Sequence, residues 1–260
     1  MVVFFDIDGT IVDDATQVIP ESVPEAIRLL RENGHLPVIN TGRPFGHIDP
    51  RVRAMDFGGW VCACGMQVIL DNGYLYRDGP SPEWCRKVVE LSRECGMLLL
   101  AEGETALYYD SATDYSTAPW MELECARKRG RGLADLQPIA HPEFLKFVTQ
   151  DGPDCRRERF LSELSAEFDA IDRGGATLEF VKKGNSKAHG MELFLDKLNV
   201  PQEETFAIGD STNDLPMFAL AGTTVCMGGG MDELKARADF ITGRVTEDGI
   251  FTALRHFGLI

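Results

Sequence analysis

Three short stretches of this 260-residue sequence gather oxygen-bearing side chains directly behind apolar runs. Val2–Phe5 is followed by Asp6, Asp8, Gly9 and Thr10. Leu36–Ile39 is followed by Asn40, Thr41, Gly42 and Arg43. Phe206–Ile208 is followed by Gly209, Asp210, Ser211, Thr212, Asn213 and Asp214. If the three runs are strands of one parallel sheet, the clusters share its carboxyl edge, where ligands of such sheets bind. Acids crowded on that edge without a counter-charge would repel one another. A divalent cation relieves the repulsion, and an all-oxygen donor set favours Mg²⁺ over zinc. Each cluster alone has an ordinary explanation, as a strand end closed by turn-forming acids or as a helix N-cap. Their coincidence on one edge is what points to a site.

The elements that would carry these residues follow from the apolar pattern. Continuous apolar runs at 2–7, 36–40 and 59–65 read as strands covered on both faces. Ser22 with Glu25 forms a capping-box pattern, Pro24 lies in the first turn, and Val23, Ala26, Ile27 and Leu30 fall at helical spacing. A looser helical region covers about 44–56, and Asn72-Gly73 marks a hairpin turn. Cys62 and Cys64 are expected on one face of a strand. The strand–helix alternation resumes after about 186, with Met191, Phe194, Leu195 and Leu198 on one helix face. The middle of the chain reads instead as helix, paired strands, helix, strand, helix, paired strands. The expectation is a doubly wound, mostly parallel α/β core with an inserted α+β domain. Its boundaries are 1–79 for the first part of the core, 80–183 for the insert and 184–260 for the rest.

Bulk properties narrow the function. A net charge of −15 repels nucleic-acid backbones and anionic membranes as general partners, while leaving room for a small anion held locally. The opening apolar stretch is too short for a secretory signal and lacks a basic flank, and no window reaches the length of a membrane span. The seven cysteines are odd in number and contain no metal-like pair, which fits reduced thiols in a cytoplasmic protein. The histidines match no motif and are expected to be surface or structural groups. Gly228, Gly229 and Gly230 read as a flexible turn, since no complete phosphate-cradle pattern surrounds them.

The combination FFDIDGT, NTGRP, a lysine opening a helix at 187 and GDSTNDLPMF, in that order, resembles the haloacid dehalogenase (HAD) superfamily. The insertion between the second and third motifs resembles the Cof-type phosphatases, whose subclass IIB cap is an α+β domain. The resemblance implies a Rossmannoid core and transfer of a phosphoryl group. It makes Asp6 the nucleophile, which is plausible chemically because an ionised carboxylate needs no base. It makes Asp8 the general acid and then base, with its main chain also meeting the metal. Mg²⁺ would be held by Asp6, Asp8, Asp210 and Asp214, the last through water or as an orienter. Thr41, Gly42, Lys187 and Asn213 would bind the phosphoryl oxygens, with Lys187 also offsetting charge on Asp6. Arg43 could meet substrate or pair with an acid.

The expected activity is Mg²⁺-dependent hydrolysis of a small phosphorylated metabolite, a sugar or polyol phosphate, through an aspartyl-phosphate. Two alternatives share the scaffold: a phosphomutase resembling phosphomannomutase, and a non-catalytic metabolite-binding protein. Departures from the family pattern bear on substrate choice. Cys64-Gly65-Met66 stands where Cof-type chains commonly carry Asn-Gly-Ala, and Gly228-Gly229-Gly230 where they often carry Gly-Asn-Ala.

Overall fold

The computed structural model describes residues 1–119, 121, 132–137 and 139–260. These form two compact units: residues 1–43, 48–77 and 185–260 make one, and residues 44–47 with 78–184 make the other.

The first unit is built on an eight-stranded sheet in the order β14-β13-β12-β1-β2-β3-β4-β5. Its strands are β1 (Val2–Phe5), β2 (Leu36–Asn40), β3 (Gly59–Cys62), β4 (Gln67–Leu70), β5 (Gly73–Arg77), β12 (Thr205–Gly209), β13 (Thr223–Cys226) and β14 (Phe240–Ile241). Pairing is parallel from β14 to β3 and antiparallel from β3 to β5. The chain winds outward from β1 through β2 and β3, then returns to the other side of β1 at β12. The winding direction therefore reverses between β1 and β12, and a crevice opens at such a point at the carboxyl ends of the strands. The core is a doubly wound α/β sheet.

Alternation along β1 sends Val2 and Phe4 to one face and Val3 and Phe5 to the other, and all four are buried. The first face packs on helix Lys187–Leu198, with Phe4 edge-on to Phe194 at 5.9 Å between ring centres. Helix α1 (Ser22–Glu32) buries Val23, Ala26, Ile27 and Leu30, as its spacing requires.

Three local expectations are corrected. Ser22 does not cap α1: Glu21 holds the N-cap position without a side-chain bond, and the Ser22 hydroxyl donates instead to Asp248 Oδ1 at 2.6 Å. Ser22 is already the first residue of the helix, past the position from which a hydroxyl caps. The hairpin turn is one residue earlier than Asn72-Gly73: Asp71 and Asn72 carry the positive φ angles, 51° and 63°, while Gly73 already pairs with Leu70. Cys62 and Cys64 do not share a strand face. β3 ends at Cys62, and Ala63 and Cys64 turn back through left-handed conformations with φ of 51° and 54°. The looser helical region at 44–56 resolves into a 3₁₀ turn, Phe45–His47, and a short helix α2 (Pro50–Arg53) capped by the Asp49 side chain.

The second unit contains helix α3 (Pro82–Cys95), strands β6 (Met97–Glu102), β7 (Leu107–Tyr109), β8 (Leu133–Asp135) and β9 (Lys146–Asp151), helix α4 (Arg157–Leu164), and strands β10 (Phe168–Gly174) and β11 (Thr177–Lys182). They form a sheet ordered β10-β11-β9-β6-β7-β8, antiparallel apart from the β7–β8 pair. The second of the helices expected in this region falls in a stretch that includes residues 122–131, outside the described residues. Ser81 caps α3 through the Trp84 N–H, Pro82 fills the first turn, and Gly96 ends the helix at φ 66°. Phe147, Phe160, Phe168 and Phe180 form the centre of its core, with Phe147 stacked on Phe180 at 4.7 Å.

Two charges are buried in this sheet. Lys146 on β9 pairs with Glu179 on β11, and Arg173 on β10 donates its Nε to the same carboxylate at 2.6 Å. Burial alone would raise the Glu179 carboxyl, but Lys146 and Arg173 together bring it down to about 2 from 4.5. Its stabilising contribution is therefore present above about pH 4.5 and is lost as pH falls toward 2. Replacing Lys146 by Met leaves a buried carboxylate with half its compensation. The expected cost is about 3 kcal/mol in urea denaturation at pH 7, shrinking as the pH is lowered below 4. A variant as stable as the parent at pH 7 would contradict this account.

Candidate active site

The end of β1 places Asp6 at the reversal of winding. Its N–H donates to Ile208 O at 3.0 Å, which ties it to the neighbouring strand β12. The chain then breaks. Gly9 adopts φ +71°, and the Gly9 N–H closes a turn on Val12 O at 2.8 Å. A Cβ on Gly9 would lie 2.3 Å from Asp210 Oδ2, so the absent side chain is what lets the Asp210 carboxylate stand against this turn.

Lys187 is the first residue of helix α5 (Lys187–Leu198), whose N-cap Ser186 accepts from the His189 N–H at 3.0 Å. A cation on the first turn opposes the helix dipole. Its partners supply the reason for it. Lys187 Nζ lies 2.7 Å from Asp6 Oδ1 and 2.6 Å from Asp214 Oδ1, and its side chain is 1% exposed. Asn40 at the end of β2 donates from Nδ2 to Lys187 O at 3.0 Å, fixing the helix start against the sheet. The approach is close because both backbones lack side chains there. A Cβ on Gly190 would lie 2.9 Å from Gly65 Cα, and one on Gly65 would lie 2.2 Å from Ser186 O.

Asp214 is fully buried and has both oxygens engaged. Oδ1 meets Lys187, and Oδ2 accepts from the N–H groups of Asp210 and Ser211 at 3.0 and 3.1 Å. Asn213 accepts the Ser211 hydroxyl at 2.7 Å, within the same capping turn. Asp6, Asp210 and Asp214 each offer an oxygen within 4.8 Å of the others. Asp8 is engaged elsewhere: Arg43 forks onto it, Nε to Oδ2 at 2.7 Å and Nη2 to Oδ1 at 2.5 Å. Thr41 is buried after β2, and its hydroxyl accepts the Arg43 N–H at 3.2 Å. Thr41, Gly42 and Asn213 thus sit on loops at the same sheet edge as the acids.

Charge crowding shows in the acids themselves. Burial pushes the Asp6 carboxyl up to about 7. Lys187 pulls it down, while Asp214 and Asp8 add to the rise. Burial, then Asp6 and Asp214, push Asp210 up to about 8. Burial works against the Lys187 ammonium, but Asp214 and Asp6 outweigh it and hold the group charged. One cation therefore serves two of the three clustered acids, and the third is left over. Asp210 Oδ1 is buried and has no hydrogen-bond partner among the described residues.

This arrangement can hold a hard cation beside an ionised carboxylate and a bound anion. Residues 3–254 match the family model of the haloacid dehalogenase-like hydrolases. The chain belongs to that family. It is a Cof-type member on the phosphatase branch of the superfamily. The YcsE protein of Bacillus subtilis, a 5-amino-6-(5-phospho-D-ribitylamino)uracil phosphatase, is 28% identical over 256 residues, 98% of this chain and 94% of that protein. A solved HAD phosphatase of Bacteroides thetaiotaomicron superposes with a TM-score of 0.84 at 26% identity, covering 100% of this chain and 95% of that one. The subclass IIB sugar phosphatase BT4131 shares the fold, with a TM-score of 0.79 at 23% identity over 100% of this chain and 99% of its own. No helix among the described residues is long and apolar enough to cross a membrane.

Sequence reasoning placed Asn40 in one of the strand-end clusters but did not foresee its bond to Lys187 O, and it missed Gly65 and Gly190, whose close approach has no local signal. Gly9→Ala should displace Asp210, because a side chain meets both the +71° backbone and the carboxylate. The expected result is a loss of about 100-fold or more in phosphate release with a lowered melting temperature. Activity within threefold of the parent would show that this turn does not position Asp210.

Proposed function

We propose that the chain hydrolyses the phosphate monoester of a small sugar or polyol through an aspartyl-phosphate on Asp6, with Mg²⁺ as cofactor. The observation that carries this reading is the pairing of Asp6 with Lys187 beside an acid, Asp210, whose buried Oδ1 has no hydrogen-bond partner among the described residues. A binding site has no need of a charged nucleophile held in that way. The ribityl group named for YcsE is a phosphorylated polyol chain, which supports the substrate class.

The donor set fits Mg²⁺. It is all oxygen, three carboxylates converge within 4.8 Å, and one buried oxygen is unpartnered. Asp6 and Asp210 would supply the ligating carboxylates, with Asp8 through its main chain. Asp214, with both oxygens occupied, would orient Lys187 and the 210–211 backbone. When bound, the ion screens the charge between Asp6 and the phosphoryl group. Asp6 attacks phosphorus in line, and the ester oxygen leaves with a proton from Asp8. Asp8 then takes a proton from water as that water attacks the acyl-phosphate, which frees Asp6 and inorganic phosphate. Lys187 balances the charge on Asp6 before attack and on the phosphoryl oxygens after it. Thr41, Gly42 and Asn213 would hold those oxygens. Arg43 fixes the direction of the Asp8 carboxyl through its fork.

Asp6→Asn should lower phosphate release by about 10⁴-fold or more at unchanged fold, and remove any trapped acyl-phosphate. Turnover near the parental rate would refute the nucleophile assignment. A metal test follows from the raised carboxyls. Both acids titrate at 3.8 when unperturbed and at about 7 and 8 in the fold. The folded state thus holds more protons than the unfolded one between these limits, and metal-free protein loses stability as pH rises through them. Mg²⁺ favours the ionised forms, so it should raise the melting temperature more at pH 8 than at pH 5.5. An equal shift at both would contradict Mg²⁺ binding at these acids.

A further inference from the structure

Gly228, Gly229 and Gly230 follow β13, the strand beside β12. Their composition alone reads as a flexible turn. None of the three has a positive φ, so left-handed backbone is not what calls for glycine here. Space calls for two of them. A Cβ on Gly228 would lie 2.7 Å from Thr242 O, and one on Gly230 would lie 2.7 Å from both Asp210 O and Cys226 Sγ. A Cβ on Gly229 would meet nothing within 4 Å. Hydrogen bonds tie the same turn down. The Met227 N–H donates to Gly209 O at 2.9 Å, and the Gly228 N–H to Gly243 O at 3.0 Å. The Gly230 N–H closes the turn on Met227 O at 2.8 Å, and the Met231 N–H donates to Asp210 O at 2.7 Å. Gly230 therefore packs against the very carbonyl that Met231 holds.

Asp210 depends on contacts of this kind. Its Oδ1 has no hydrogen-bond partner among the described residues, so no donor fixes where that oxygen points. Its main chain is held instead, the N–H by Asp214 Oδ2 at 3.0 Å and the carbonyl by Met231. A methyl group on Gly230 must push Asp210 O off the Met231 N–H, because a carbonyl in the main chain has no rotamer to escape into. The Cys226 thiol is buried on the other side and closes the alternative. A shift of the Asp210 main chain carries the carboxylate with it. Mg²⁺ demands near-ideal octahedral geometry, so a displaced ligand oxygen weakens it.

We propose that the 228–230 turn is a positioning element for the metal site: Gly230 and the Met231 N–H hold the Asp210 main chain where its carboxylate can ligate Mg²⁺, and so set the affinity for the ion. This rests on the Mg²⁺ reading of the clustered acids. It separates two adjacent glycines by role, since Gly230 is pressed against Asp210 and Gly229 faces open space. It also makes alanine, the residue that Cof-type chains often carry in the place of Gly230, unfavourable in this chain.

The test titrates Mg²⁺ into the metal-free parent, Gly230→Ala and Gly229→Ala by calorimetry, well below their melting temperatures. The Kd for Mg²⁺ should rise about 10- to 100-fold in Gly230→Ala. In Gly229→Ala, which stiffens the same turn without meeting anything, it should stay within about threefold of the parent. An unchanged Kd in Gly230→Ala overturns the proposal, even with a lowered melting temperature, because a structural role alone costs stability and leaves the folded site intact. Equal weakening in both variants overturns it too, since stiffness would then be the cause. If Gly230→Ala does not fold, Met231→Pro carries the test. The Met231 φ of −69° suits proline, and the substitution removes the N–H that Asp210 O accepts. The same rise in Kd is expected there, and a parental Kd overturns the proposal. If the parent itself binds no Mg²⁺, the metal reading fails, and amide hydrogen exchange then decides the positioning claim. The Asp210 and Ser211 N–H groups should exchange about tenfold faster or more in Gly230→Ala than in Gly229→Ala. Equal exchange would overturn it.

Discussion

The rest of the first unit is arranged around one buried ion cluster: the Lys187 ammonium between Asp6 and Asp214. A lysine that is 1% exposed at its side chain cannot keep its charge without compensation, and two carboxylates at 2.6–2.7 Å provide it. The three residues come from three elements. Asp6 ends β1, Asp214 closes the turn after β12, and Lys187 opens α5. Removing Lys187 leaves two buried carboxylates without their counter-charge. The cluster therefore constrains the helix, the central strand and the turn at once.

Secondary structure brings these groups to the same place before any side chain meets. The winding reverses between β1 and β12, so the two strand ends flank one crevice. The Gly65–Gly190 approach then lets α5 sit low enough for Lys187 to reach across. Asn40 holds the helix start at that depth. Charge balance within the crevice is incomplete. Asp210 keeps a buried oxygen without a partner, and its carboxyl rises with that of Asp6. Asp8, in the loop after β1, is forked by Arg43, so the rim has its own charge pairing.

The α/β core was legible because its strands are short apolar runs and its helices repeat at 3.6. Val23, Ala26, Ile27 and Leu30 needed no tertiary information to declare a buried face. Failures occurred where boundaries were set by packing and pairing. Ser22 looked like an N-cap, but the helix starts one residue earlier, with Glu21 at the cap, and the Ser22 hydroxyl donates to Asp248, 226 residues away. Asn72-Gly73 looked like the turn, yet strand pairing made Asp71 and Asn72 its central residues. Cys64 continued an apolar run on paper and turned left-handed in space, next to the glycine that meets α5.

By itself the sequence determined which residue types stand at each strand end, because apolar run and following cluster are both local properties. It also determined the family, since FFDIDGT and GDSTNDLPMF are contiguous motifs. Only the tertiary structure decided which charge meets which. Nothing in the chain order says that Lys187 divides itself between Asp6 and Asp214, that Arg43 forks onto Asp8, or that Asp210 is left over. Coulomb energies depend on distance and burial, and both are set by the packing of segments far apart in the sequence.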